Sequence, residues 1–270
     1  MAPESILPLG ANLALFAFVL IRWWGLHRPE RAPDRASHPM LILFATLQSA
    51  TVIWEVVRSG PLSMAYPWLA TMLVIWVTVP LCFLLERTAA STAAGAMVVT
   101  LAFLIHSYAL VLGPAPPQTD LAFSPFVQSP WYLLHVLGAL LATGAYVCAA
   151  GGAIAYLGTA IRHRGAPSTI RATLRASELL SRRALAIALP SLTSSIFAYA
   201  FWTYLAWGNY WSWRPAGVCL LVLCLIIAMT LHIRTTTRWQ GLTRASLTLV
   251  GLALALLSVP LLSQGLALFS

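Results

Sequence analysis

Eight long apolar runs are the feature that most restricts how this chain can fold. A helix needs about 20 consecutive apolar residues to cross the hydrocarbon core of a bilayer, and each run is about that long. We therefore predict an all-α, polytopic integral membrane protein with about eight transmembrane helices. The first run is expected to be a membrane span and not a cleaved signal peptide. The predicted spans cover roughly residues 5–26, 39–58, 66–86, 91–113, 131–160, 184–206, 215–234 and 245–268.

The composition excludes a soluble globular protein. Apolar residues make up 60% of the 270 residues and charged residues only 9%, whereas soluble domains carry about a quarter charged residues. The net charge is +9, and every basic residue other than histidine is an arginine. In a soluble protein this excess would suggest a nucleic-acid partner. Here we expect the arginines to orient the helices, and we predict no nucleic-acid partner.

The distribution of arginines predicts that orientation, because cytoplasmic loops carry an excess of basic residues. With eight spans, fourteen arginines fall on one side of the membrane and only Arg58 and Arg214 on the other. Both termini and the proline-rich loop 114–130 are then predicted outside, on the periplasmic face of a bacterial inner membrane. The arginine-rich connection 162–183 is predicted inside, with a short amphipathic helix in it.

The segment WGNYWSWRP, residues 207–215, also falls on the outer side and allows two interpretations. It can be an interfacial aromatic belt, since Trp and Tyr favour the headgroup layer. It can also be a flat aromatic platform for a large planar ligand. The second interpretation assumes a helical stretch, in which Trp207 and Trp211 share a face because they are four residues apart. The residues alone do not decide between the aromatic belt and the ligand platform.

The same segment is similar to a known signature, WG-x-YWSWDP, and three further stretches match the same family in order and spacing. These are the text from ELLSRRALAIALPSLTSSIF into the signature, the downstream TLHIRTTTRWQG, and the upstream VQSPWYLLHVLGALLATGAY. On these stretches, which cover roughly residues 126–245, the chain resembles the cytochrome c assembly superfamily of CcsA, CcmC and HemX-like proteins, CcsA most of all. The resemblance implies one membrane domain, with an N-terminal four-helix part (1–113) and a CcsA-like core (114–270).

In that family the tryptophan-rich loop binds haem at the outer face and histidines supply the iron ligands. The resemblance therefore implies haem b as a cofactor, with His135 as the external ligand and His232 as a second ligand near the inner face. The inner position is associated with haem entering from the cytoplasm. The aromatic residues implied to contact haem are Trp207, Tyr210, Trp211 and Trp213.

Two positions depart from the family pattern. Arg214 replaces an acidic residue of the signature, and Ala267 stands where the family has a second external histidine. Arg214 can pair with a haem propionate, or instead with a lipid phosphate or a carboxylate of a partner. Loss of a ligand and of an acidic neighbour favours haem binding over catalytic haem attachment.

Other polar residues lie within or beside the predicted spans. His106 is a candidate haem ligand or proton relay, because an intramembrane histidine is costly; the alternative is a packed histidine bonded to a neighbouring helix. Glu55 pairs with Arg58 or serves a quinone or proton site. Glu86, beside Arg87, is expected to snorkel to the interface, and His27, His38 and His163 to be solvated.

The sequence thus favours a haem-handling membrane protein that is not a complete haem lyase or other stand-alone enzyme. The alternative is a scaffold subunit of a respiratory or photosynthetic electron-transfer complex, holding haem, quinone, pigment or nothing. Expected partners are the lipid bilayer, haem, and other membrane subunits or a cytochrome c assembly partner.

Overall fold

The chain is described here from a computed structural model that covers residues 3–27, 34–59, 67–113, 129–162, 168–211, 213, 215–236 and 241–267. Within these ranges it forms eight helices and no strand, which confirms the all-α prediction. In chain order they are α1 (Pro3–His27), α2 (Asp34–Ser59), α3 (Pro67–Ala89), α4 (Thr92–Leu112), α5 (Pro130–Arg162), α6 (Ser168–Trp207), α7 (Pro215–Thr236) and α8 (Gly241–Ala267).

The first six helices each carry an apolar segment long enough to cross a membrane. In the parts of α7 and α8 whose side chains the structure describes, the apolar segments run over Gly217–Ile233 and Gly241–Leu256. Most of the proline-rich loop, residues 114–128, lies outside the described residues.

Helix α6 differs from its prediction. A span over 184–206 was expected, preceded by a separate amphipathic helix, but residues 168–207 form one helix of 40 residues that contains Pro190. At a rise of 1.5 Å per residue it is about 60 Å long, which exceeds the thickness of a bilayer with its headgroups, about 40–45 Å. The arginine-rich connection is therefore largely a helical extension of a membrane span.

Small residues on α5 set the position of α6. A Cβ added at Gly138 would lie 3.0 Å from the Ser191 carbonyl oxygen, and one added at Gly152 would lie 2.9 Å from the Ser177 carbonyl oxygen. Glycine at these two positions lets the helix backbones approach closely, as small residues commonly do in membrane bundles. The two helices form a long antiparallel hairpin. The step from Gly138 to Gly152 along α5 equals the step from Ser191 back to Ser177 along α6, so the helices keep one register between the two contacts.

Helices α1 to α4 pack around an apolar core of their own and are tied by a buried ion pair. Glu86 of α3 pairs with Arg22 of α1, and both side chains are largely buried. The prediction that Glu86 snorkels beside Arg87 is therefore wrong. Arg87 instead donates to the ring of His38 at 3.2 Å and lies over Phe83, so His38 is not a freely solvated residue as expected. The Arg22–Glu86 pair forms because a buried charge is costly unless an opposite charge matches it.

Candidate functional site

The tryptophan-rich segment folds back onto the end of α6. The helix ends at Trp207, and Gly208 adopts a positive φ of 74°, a conformation that glycine reaches without steric cost. The Gly208 N–H donates to the Tyr204 carbonyl at 2.8 Å. The Thr203 hydroxyl then donates to the Tyr210 carbonyl at 3.1 Å, and the Tyr210 ring stacks on Tyr204 at 4.2 Å. These contacts hold the segment against its own helix.

Because the helix stops at Trp207, the prediction that Trp207 and Trp211 share a helical face is wrong. Trp207 packs edge-on against Trp202, with ring centroids 5.2 Å apart and planes at 76°. Trp211 packs edge-on against Tyr199 at 5.9 Å and 84°. Aromatic pairs favour such T-shaped contacts over flat stacking. The segment is thus not one flat platform, although Trp213 is 79% exposed and Trp207 and Tyr210 are also exposed.

His135 lies on α5, one turn before Gly138, and is held by Ser195 of α6. The Ser195 hydroxyl donates to the His135 carbonyl at 2.9 Å. Its oxygen is then free to accept from His135 Nδ1, also at 2.9 Å, and the Ser195 carbonyl lies 3.1 Å from the same nitrogen. This arrangement places the ring proton on Nδ1 and leaves the lone pair of Nε2 unprotonated. Among the described residues, Nε2 has no hydrogen-bond partner.

The His135 ring adjoins a continuous group of aromatic side chains. Its centroid lies 5.2 Å from that of Tyr199, which contacts Trp202 and Trp211; Trp202 contacts Tyr132, and Trp211 contacts Trp213. We call this group, with Trp207, the aromatic cluster: Tyr132, Tyr199, Trp202, Trp207, Trp211 and Trp213.

Two hydrogen-bond donors in the aromatic cluster are buried without a partner in the part of the chain that the structure describes. They are the indole N–H of Trp211 and the hydroxyl of Tyr132. Leaving such a group unsatisfied costs about 1–3 kcal/mol. The cluster therefore offers two unmatched donors beside a histidine with a bare nitrogen.

Sequence reasoning missed Ser195, Tyr199 and Trp202, which position His135 and extend the aromatic surface. A signal was present, because these residues are spaced i, i+4 and i+7 and so lie on one face of α6. Their relation to His135 was not visible, since Ser195 is 60 positions away from it along the chain.

His106 is enclosed between helices. Its Nδ1 lies 3.1 Å from Asn12 Oδ1 on α1, and its Nε2 lies 3.0 Å from Gln48 Oε1 on α2. Gln48 in turn donates to the Met72 carbonyl on α3 at 3.0 Å. Both ring nitrogens are occupied, so neither is available to a metal in this conformation. The geometry corresponds to the packed-histidine alternative, in which one buried polar group joins four helices.

The remaining predicted residues lie away from the aromatic cluster or outside the described side chains. His232 is exposed on α7, 17 residues beyond Pro215, or about 26 Å along the helix. Its neighbours Thr230 and Leu231 line a small cavity of about 30 Å³ between α5, α6, α7 and α8. Glu55 pairs with Arg58 at 3.3 Å, as the local alternative predicts. Arg214, His163 and the side chains of His27 and Ala267 are not described.

Comparison with known proteins gives a consistent result. The sequence model of a protein family described as "Cytochrome C assembly protein" matches residues 62–267. The protein named "Cytochrome c biogenesis protein CcsA" from Rippkaea orientalis is 27% identical over 330 aligned positions, which cover 97% of this chain and 96% of that protein. The proteins of the same name from Mesostigma viride and Chlamydomonas reinhardtii are 29% and 27% identical, over 83% and 80% of this chain.

The relatives contain segments that this chain lacks. The alignment with the Rippkaea protein is longer than the 270 residues of this chain. This chain spans 62% of the Chlamydomonas protein and 83% of the Mesostigma protein.

Proposed function

This chain belongs to the cytochrome c assembly protein family, and we propose that it binds haem b through His135 and the aromatic cluster. In this proposal it is a haem-handling membrane protein that needs partner chains and is not a complete haem lyase on its own. The site faces the periplasm of a bacterial inner membrane. When bound, haem supplies an iron centre with axial positions for nitrogen ligands.

The observation that carries the proposal is the way Ser195 holds His135. Histidines that bind a metal nearly always donate their other ring N–H to a carbonyl, carboxylate or similar acceptor, which fixes the tautomer and the ring orientation. His135 Nδ1 has such acceptors in the carbonyl and hydroxyl of Ser195. Its Nε2 is therefore already in the state that an iron ligand requires.

The aromatic cluster also fits a porphyrin. Trp207 and Trp213 present exposed rings that can cover the apolar macrocycle. The donors of Trp211 and Tyr132 are buried without a partner among the described residues, so they would reach acceptor oxygens such as those of the propionates only after neighbouring side chains move. The replacements at Arg214 and Ala267 argue against complete attachment chemistry, since an acidic group and a second external ligand are both changed.

The proposal is tested by an optical spectrum and a pyridine haemochrome assay on full-length protein purified with haem available. We expect a Soret band in the wild type, its loss in His135→Gly, and its recovery when imidazole is added to that variant. His38→Ala, which changes a histidine remote from the aromatic cluster, serves as a control and should retain haem.

Two results would contradict the proposal at different points. Absence of a Soret band in the wild type would exclude haem binding and favour the scaffold alternative. Unchanged occupancy in His135→Gly would keep haem binding but remove His135 as its ligand. His232→Ala then tests the inner ligand: if that histidine holds a separate haem, its loss adds to the loss caused by His135→Gly.

A further inference from the structure

The cavity between α5, α6, α7 and α8 brings together two arginines from different helices. Its lining includes Arg182 and Glu178 of α6, Arg244 and Gly241 of α8, and Tyr156 of α5. Glu178 accepts a hydrogen bond from Arg244 at 2.6 Å and is the one carboxylate among the described lining residues. The charged side chains around this space, which we call the arginine cavity, therefore leave one positive charge unbalanced.

Both arginines of the arginine cavity retain donors for a ligand. The Arg244 Nε–H is buried and has no hydrogen-bond partner among the residues that the structure describes, since the bond to Glu178 comes from Nη2. A buried donor without an acceptor is costly, and more so when the group is charged. Arg182 is exposed and makes no hydrogen bond or ion pair in the same part of the chain. These free N–H groups suit an anion.

The start of α8 adds to the positive potential of the arginine cavity. Helix α8 begins at Gly241, its first turn contains no acidic residue, and Gly241 lines the cavity. The N-terminus of a helix carries a partial positive charge and favours phosphate or carboxylate groups. The Tyr156 hydroxyl lies against Gly241, where a Cβ would collide with it. Two guanidinium groups, a hydroxyl and a helix N-terminus thus meet at one small space.

The volume of the arginine cavity limits what can enter it. About 30 Å³ gives room for about two oxygen atoms of the size of water, so a porphyrin or another whole organic molecule does not fit. Arg182 is exposed, which places the mouth of the cavity at its side chain. A phosphate group that remains at the mouth and inserts its oxygens meets both limits, and guanidinium groups pair well with such oxygens.

The depth of the arginine cavity corresponds to the lipid headgroups. The hydroxyls of Ser91 and Ser177 lie 3.2 Å apart, which places residue 177 level with the turn that joins the spans α3 and α4. Arg182 is five residues further into the membrane, or about 7.5 Å along α6, and a headgroup layer is about 6 Å thick. An arginine at this depth reaches the lipid phosphates with its long side chain. Basic pockets between transmembrane helices are known sites for acidic lipid headgroups.

We propose that the arginine cavity binds the phosphate of an anionic phospholipid, in the leaflet opposite the tryptophan-rich segment. Arg182 and Arg244 donate to the non-bridging oxygens, and Tyr156 supplies a hydroxyl donor. A zwitterionic headgroup binds less well, because it brings an ammonium group towards two guanidinium groups. The bound lipid joins α6 to α8 alongside the salt bridge of Glu178, and a ligand that binds the folded state stabilises it.

The test titrates phosphatidylglycerol into full-length protein that has been delipidated in a neutral detergent, and counts the bound lipids by native mass spectrometry. We expect Arg182→Gln to weaken the tightest lipid binding about tenfold, the scale of one hydrogen bond to a charged group. Arg175→Gln removes an exposed arginine two turns away on the same helix, outside the cavity lining, and should bind the lipid like the wild type. Phosphatidylcholine should bind the wild type more weakly.

Thermal unfolding of the same samples supplies the second measurement. Without lipid, both variants should unfold at the temperature of the wild type, because neither arginine makes a contact that holds the helices together. Phosphatidylglycerol should then stabilise the wild type and Arg175→Gln more than Arg182→Gln.

Three results would overturn the proposal. Equal losses in Arg182→Gln and Arg175→Gln would mean that the lipid senses only net charge. Equal binding of the two lipids would remove the preference for an anionic headgroup. Displacement of phosphatidylglycerol by excess inorganic phosphate would assign the arginine cavity to a free anion and not to a lipid.

Discussion

At the scale of single residues, the outer site depends on a histidine whose chemistry is set by a neighbouring serine. Ser195 is fully buried, and its hydroxyl both donates to the backbone of α5 and accepts from the His135 ring. One hydroxyl thus joins two helices and selects the tautomer of the ring between them. The hydroxyl of Ser191, one turn earlier on α6, bonds among the described residues only to the Ile187 carbonyl of its own helix.

This difference predicts unequal effects of two serine substitutions. Ser195→Ala removes the hydroxyl but leaves the Ser195 carbonyl as an acceptor for His135 Nδ1, so it should weaken haem binding by about tenfold, the low end of the effect of changing a partner that orients a metal ligand. Ser191→Ala should leave haem binding unchanged. Haem titration followed at the Soret band measures both, and thermal unfolding of the same samples in detergent checks that each variant is folded. Equal affinities for the two variants would show that Ser195 does not orient the ligand.

At the scale of helices, the approach of α5 to α6 determines whether His135 and Ser195 meet. Gly138 stands where a side chain would press on the backbone of α6, whereas a Cβ at Gly158, on the same helix, would have no atom within 4 Å. The two glycines therefore form a matched pair, one at a contact and one in open space.

We expect Gly138→Ala to destabilise the protein by about 1–3 kcal/mol, the usual cost of overpacking, and to weaken haem binding by separating the two helices. Gly158→Ala should be neutral or slightly stabilising, since alanine is the better helix former. Thermal unfolding in detergent and haem titration measure the two effects. A Gly138→Ala variant as stable as Gly158→Ala would mean that α6 moves aside without cost.

The helices themselves were predictable from the sequence because a bilayer imposes its own length on apolar runs. The side-chain pairings between those helices were not predictable. Nothing local in the sequence indicates that Glu86 turns to Arg22 and not to the adjacent Arg87, because that choice depends on how α1 and α3 pack. The start of α6 was missed for a related reason: arginines that end an apolar run do not end a helix. At the site, His135 and the tryptophans were found through a family resemblance, whereas Gly208 decided the arrangement of the rings.

At the scale of the whole molecule, α6 separates two chemically different ends. The tryptophan-rich segment follows its C-terminus, and the exposed Arg171 and Arg175 lie near its N-terminus. From the arginine excess of fourteen to two, we predict that the second end is cytoplasmic. This orientation remains a prediction, because it follows from charge alone.

The orientation is tested by labelling single introduced cysteines with a membrane-impermeant maleimide. Asn209→Cys, in the exposed segment after α6, should react in intact spheroplasts. Ala172→Cys, which is exposed beside Arg171, should react only after permeabilisation. The unmodified protein provides the background, since its cysteines lie within helices and Cys82 and Cys148 are buried. The reverse labelling pattern would invert the whole topology.

The continuity of α6 has a mechanical consequence. A single rod of 40 residues with Pro190 near its middle behaves as a lever, because proline removes one backbone hydrogen bond and makes that turn the easiest place to bend. Any bend of α6 is therefore expected at the turn of Pro190, between the arm that begins at Ser168 and the arm that carries Ser195.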